Sequence, residues 1–231
     1  MMNIRLVAAC AFAMTFVGHA IDAQDLSRYR TFELGANVAT VSALTGVGAS
    51  EATMVHRRPV LLQTLEWRPS RWISGTSAES TDPVDRVVFS FCDDRLFMIV
   101  VDYGQDRTEG MTTADMIDAI STAYGPGVAS TRRPARIQSQ IESESGSPVA
   151  RWGDAKRSVV LYRTSSYRES YRLIVTDTSL ADRARKGATE ALRLDDQEAP
   201  RREVARQKKE RDDARAAADK ARSANKGLFK P

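Results

Sequence analysis

Six consecutive apolar residues, Leu96-Phe97-Met98-Ile99-Val100-Val101, constrain this chain more than any other feature. A short run without alternation is apolar on both faces, which suits a central strand with little water on either side. Arg86 to Phe91 precedes it across Asp93-Asp94-Arg95, a short polar hairpin turn. Val60 to Trp67 alternates, placing Leu62 and Thr64 on one side and Leu61, Gln63, Leu65 and Trp67 on the other. Ser158 to Arg163 and Tyr171 to Val175 predict a second hairpin around Ser165-Ser166. Ser70 to Val84 and Thr131 to Pro148 are polar stretches that read as long loops.

Helices alternate with these strands. Val38, Val41 and Leu44 share one face of a stretch that closes on Thr45-Gly46. A second helix carries Met116, Ile117, Ile120 and Ala123-Tyr124 on one face and ends at Gly125-Pro126. Thr112 and Asp115 have the spacing of a capping box, and Gly followed by Pro is the matching stop signal. Leu180, Ala184, Ala188, Ala191 and Leu192 form a third stripe, expected to pack on the sheet. The expectation is an α+β fold, with an antiparallel sheet and packed helices in two weakly related halves, followed by a charged C-terminal helix.

Phe32, Leu34 and Gly35 with the helix to Gly46, and Met111 with the helix to Gly125, are the residues that carry a likeness. Over Tyr29 to Val175 the pattern resembles the duplicated α/β repeat of the β-lactamase-inhibitor-protein-like folds, a unit shared by small outer-membrane assembly lipoproteins. The chain is also similar to uncharacterised exported bacterial proteins with a Phe-x-Leu-Gly start, a Leu65 to Pro69 segment and a charged C-terminal helix. Neither likeness supplies an activity. Cys10 departs from the lipoprotein pattern, because it opens an apolar core that a lipobox should close.

The first residues read as an export signal. A basic start ends at Arg5, Leu6 to Val17 are apolar, and small residues follow at Gly18-His19-Ala20 and Ile21-Asp22-Ala23. Cleavage is expected after Ala23, with Ala20 as the other exit, and no membrane-spanning segment is expected thereafter. The boundaries so implied are a signal peptide over 1–23, a globular domain over 24–198 and a charged helical or disordered tail over 199–231. From Arg201 to Arg222 nine Lys and Arg stand against five Asp and Glu, an excess equal to the +4 of the whole chain. A near-neutral body with a basic tail argues against a nucleic-acid-binding domain.

Chemistry is sparse in the sequence. Loss of residues 1–23 leaves His56 and Cys92 as the last histidine and cysteine. His56, between Val55 and Arg57-Arg58, suits a surface turn better than a general base. Cys92 reads as a small buried hydrophobe. Asp102, Asp106 and Glu109 cluster after a strand end without the ligand pattern of a calcium loop. No cofactor or metal is expected. Trp67, Trp72 and Trp152 each neighbour an arginine, as in Trp67-Arg68, and read either as interface anchors or as rings closing the core. With Arg68 and the tail residues Arg201, Arg202, Lys208 and Lys209 they are the candidate partner-binding residues. The functional expectation is a non-catalytic envelope protein that binds a protein partner, its tail meeting that partner or an anionic envelope surface. The alternatives are a carboxylate- or metal-dependent enzyme using residues such as Asp102 and Asp106, and a structural rod or oligomerisation device.

Overall fold

The computed structural model describes residues 25–69, 82–129, 144–165 and 169–228. The export segment, its cysteine and Trp72 lie outside the described residues.

The order of elements repeats. After a small hairpin, β1 (Arg28–Tyr29) and β2 (Phe32–Glu33), come α1 (Val38–Thr45), β3 (Thr53–His56), β4 (Leu62–Trp67), β5 (Val84–Cys92) and β6 (Arg95–Tyr103). Then follow α2 (Thr113–Tyr124), β7 (Val128–Ala129), β8 (Ser147–Gly153), β9 (Arg157–Ser165), β10 (Glu169–Asp177) and α3 (Thr178–Leu228). Each half is thus one helix followed by four antiparallel strands. The halves meet through their last strands, in the order β3-β4-β5-β6-β10-β9-β8-β7. The apolar run of β6 therefore lies at the centre, as its lack of alternation requires, and β6 pairs with β10 from Met98↔Thr176 to Asp102↔Arg172.

α1 and α2 share one face of the sheet. Val38 and Val41 from α1 and Met116, Ile120 and Tyr124 from α2 are buried in the main core with Phe89, Ile99, Leu161 and Leu173. The capping box at Thr112 and Asp115 forms as the spacing predicts, and Gly46 ends α1 at φ 73°, a left-handed value that glycine adopts without strain. Leu44, expected on the packed face, is 48% exposed instead, because the eight-residue helix buries only its first turns. The β1–β2 hairpin fills the remaining space: Phe32 lies against Phe89 at 4.6 Å between ring centres and edge-on to Trp67 at 5.5 Å.

The β5–β6 turn joins more than two strands. Asp93 and Asp94 have φ of 48° and 60°, the left-handed pair of a two-residue type I′ turn, which leaves Arg95 inside β6. The Asp94 carboxylate accepts from the Val38 N–H at 3.0 Å and so satisfies a donor at the start of α1. The Asp93 carboxylate accepts from the Leu61 N–H at 3.0 Å and pairs with Arg183 of α3. A turn that reads as merely polar ties α1, β4 and α3 together.

α3 starts directly from β10. The Asp177 carboxylate accepts from the Ser179 and Leu180 N–H groups at 3.1 and 3.0 Å, capping its first turn. The helix crosses the other face of the sheet and buries Leu180, Ala181, Ala184, Gly187 and Ala191. Gly187 permits the closest approach: a Cβ there would stand 2.0 Å from Cγ2 of Val60. The chain then stays helical through Pro200, where the sequence changes character. Proline removes one backbone donor, an affordable loss at an exposed position. Arg202 reaches back across it to Oδ1 of Asp195 at 2.7 Å. From Ala199 to Leu228 every residue is exposed, a free-standing length of about 45 Å at roughly 1.5 Å per residue. Among the described residues no helix is long and apolar enough to cross a membrane.

Candidate functional site

The tail side chains singled out in the sequence lie on the free-standing part of α3. Arg201, Arg202, Lys208 and Lys209 are all exposed. Arg202 is engaged with Asp195 and lies 3.7 Å from Glu198. Arg206 bridges Glu203 at 2.9 Å and Glu210 at 3.4 Å, a ladder of one-turn pairs along the helix. Arg201, Lys208 and Lys209 form no ion pair among the described residues, so their charge is open to an outside group. At the base of the tail, Glu198 pairs with Arg58, the last ionic tie between this helix and the body.

The tryptophan–arginine pairs divide. Trp152 is 3% exposed, and its indole N–H donates to the Gly125 carbonyl at 2.7 Å. Gly127 lies against that ring so closely that a Cβ would come within 2.5 Å. A ring enclosed in this way presents almost no surface to a partner; of the two readings the sequence allowed, Trp152 fits the core one. Trp67 is half-buried on Phe32, and the neighbouring Arg68 donates to Oε1 of Glu66 at 2.8 Å rather than covering the ring. Trp67 and Arg68 therefore remain as a partly exposed pair at the end of β4.

Asp102 and Asp106 are separated by environment. Asp102 stands in a row across three strands, with Arg86 of β5 on one side and Arg172 of β10 on the other. Its Oδ2 accepts from Arg86 at 2.9 and 2.6 Å, and its Oδ1 from Arg172 at 2.5 Å. Both oxygens are occupied by guanidinium donors, so this carboxylate acts as a cross-strand tie. Asp106 is exposed in the short helical turn after β6, 3.9 Å from Arg107. Both aspartates line a polar cleft of about 450 Å³ with Tyr103, Thr164 and Arg172. No group of three or more histidine, cysteine or acidic residues suited to a metal ion occurs among the described residues.

The remaining reactive groups are placed differently from a simple loop reading. His56 lies in β3, paired with Leu62, rather than in a surface turn, because the edge strand closes by backbone hydrogen bonds that its sequence does not announce. Cys92 is buried beside Leu62 and Ala184, and burial pushes its thiol up, with the Asp93 charge adding to the effect. Tyr29, Tyr103 and Tyr124 cluster under α2, and burial raises all three hydroxyls. Tyr124 donates to the Arg28 carbonyl at 2.8 Å, which ties α2 to the N-terminal hairpin. Sequence reasoning missed a further feature, an apolar groove under α3 lined by residues from five strands and the helix. No local pattern announces it, since its floor depends on register.

No protein-family model, curated protein sequence or solved structure matches this chain. The class defined by the described residues is an α+β protein with an eight-stranded antiparallel sheet in two halves and a projecting C-terminal helix.

Proposed function

We propose that this is an exported, non-catalytic binding protein of the bacterial envelope, whose projecting helix docks a protein partner. The observation that carries this reading is the exposure of every residue from Ala199 to Leu228, with Arg201, Lys208 and Lys209 unpaired among the described residues. A helix held out from its body adds nothing to the body's core, and its exposed charges are free to meet another group. Export is supported by the basic, apolar and small-residue order of residues 1–23. Trp67 and Arg68 supply a second, smaller contact on the body.

The test is deletion of residues 199–231 with in-cell crosslinking from position 208 of the full chain. Truncation is expected to leave the thermal transition of the body unchanged, and the full chain with the crosslinker at position 208 to give a discrete protein adduct. Collapse of the fold on truncation, or full-length protein that crosslinks to nothing while sedimenting with anionic vesicles, defeats the reading.

A further inference from the structure

The groove beneath α3 encloses about 480 Å³, within the range of a small-ligand site. Its floor is a consequence of register. Thr64 pairs with Ser90, Ser90 with Met98 and Met98 with Thr176, so β4, β5, β6 and β10 each contribute one side chain to a single row. Neighbouring strands are about 4.8 Å apart, which makes the row roughly 14 Å long and one side chain wide. All four residues line the groove, beneath Ala181, Ala184, Ala188 and Leu192 of α3. The alanines explain the space: they let the helix cross the sheet without filling what lies between.

Two polar atoms in this lining lack hydrogen-bond partners among the described residues. Ser90 is 4% exposed, and its Oγ makes no hydrogen bond among the described residues. Arg185 is the one arginine, and the one side chain of fixed charge, in the lining, which contains no carboxylate. One guanidinium terminal nitrogen donates to Asp182 at 2.7 Å, whereas Nε is shielded and has no acceptor. The half-exposed guanidinium keeps a second terminal nitrogen that makes no hydrogen bond among the described residues; its N–H groups can only donate, so a group that meets it must accept, and an anionic acceptor makes the stronger bond. Val55 and Leu192, 52% and 60% exposed, carry the apolar surface out to the open end.

We propose that the groove binds one molecule of a free alkyl carboxylate, its carboxylate on Arg185 and its single unbranched chain between the row running from Thr64 to Thr176 and the alanines of α3. A narrow apolar slot with one cationic donor matches that chemistry at both ends. The site is separate from the projecting helix, so its fate does not depend on the docking role of residues 199–228.

Calorimetric titration of the purified protein with decanoate, kept below its micelle concentration, tests the assignment. Saturable one-to-one binding is expected, weakened about tenfold or more with decanol and in Arg185→Gln, the loss of one charge-assisted contact. Ala188→Phe, which fills the slot without changing charge, is expected to abolish binding. Arg185→Gln alters only a half-exposed side chain and keeps the test decisive should Ala188→Phe fail to fold. Absence of saturable binding, equal affinity for decanol, unchanged affinity in Arg185→Gln, or binding only to phosphatidylglycerol vesicles overturns the proposal.

Discussion

Two stretches of one helix obey different physics. Thr178 to Glu198 buries Leu180, Ala181, Ala184, Gly187 and Ala191 and is tied to the body through Arg183–Asp93 and Arg58–Glu198. Ala199 to Leu228 buries nothing and relies on alanine-rich propensity and pairs such as Glu203–Arg206. Tertiary packing holds the first, and local interactions of about 0.2–0.5 kcal/mol per pair hold the second. The difference teaches that helical appearance along a chain says little about which part belongs to the cooperative fold.

The largest way to break this comparison is a matched pair of charges. Ala184→Asp places a carboxylate at a buried contact with Leu62 and Cys92, and a loss of about 3 kcal/mol or more is expected. Ala217→Asp, on the free stretch, should change stability by no more than about 0.5 kcal/mol. Chemical denaturation of the two variants checks both, and equal losses would erase the distinction.

Asp93→Gly isolates the anchor. Glycine accepts the φ of 48°, so what is lost is the carboxylate that holds the Leu61 N–H and Arg183. A destabilisation of about 1–2 kcal/mol is expected, read as a lower unfolding midpoint. Acid probes the body in a related way. Asp82 is held below the usual carboxylate range by Arg30, which it binds at 2.7 and 2.8 Å, with burial opposing and the Val84 N–H assisting. Because the folded pKa is depressed, the contribution is fully present above the unfolded value of about 4 and is lost as pH falls below it. Asp82→Asn should therefore flatten the acid limb of a stability–pH profile while changing its slope little at neutral pH.

The smallest effects belong to the free stretch. Pro200→Ala restores a backbone donor and should raise hydrogen-exchange protection near Asp196 without moving the thermal transition of the body. A shift of the whole transition would mean that the distal stretch is coupled to the core after all.

Much of the fold was legible because its signals are local. The Thr112–Asp115 box, the glycine stops at Gly46 and Gly125, and the doubly apolar β6 need only neighbouring residues to act. β3, β7 and β8 were not legible: Thr53–His56 and Val128–Ala129 are short, largely exposed edge pairings made by backbone groups, and Ser147–Gly153 begins inside a stretch that reads as a polar loop. Trp152 could not be assigned from its arginine neighbour, because its burial depends on Gly125 and Gly127 beyond the sequence distance of a local motif. Asp93 and Asp94 read as a turn, yet each accepts from a backbone group far away in the chain.

By itself the sequence determined the alternation of helices and strands, the central place of Leu96 to Val101, and the change of character beyond Pro200. Periodicity, caps and charge density are properties of contiguous residues, so they survive without a partner element. Only the tertiary structure decided that Asp102 would be clamped between Arg86 and Arg172, that Trp152 would be enclosed, and that Thr64, Ser90, Met98 and Thr176 would form one row beneath α3. Those outcomes rest on strand register, and a shift of one residue turns every side chain of a strand to the opposite face.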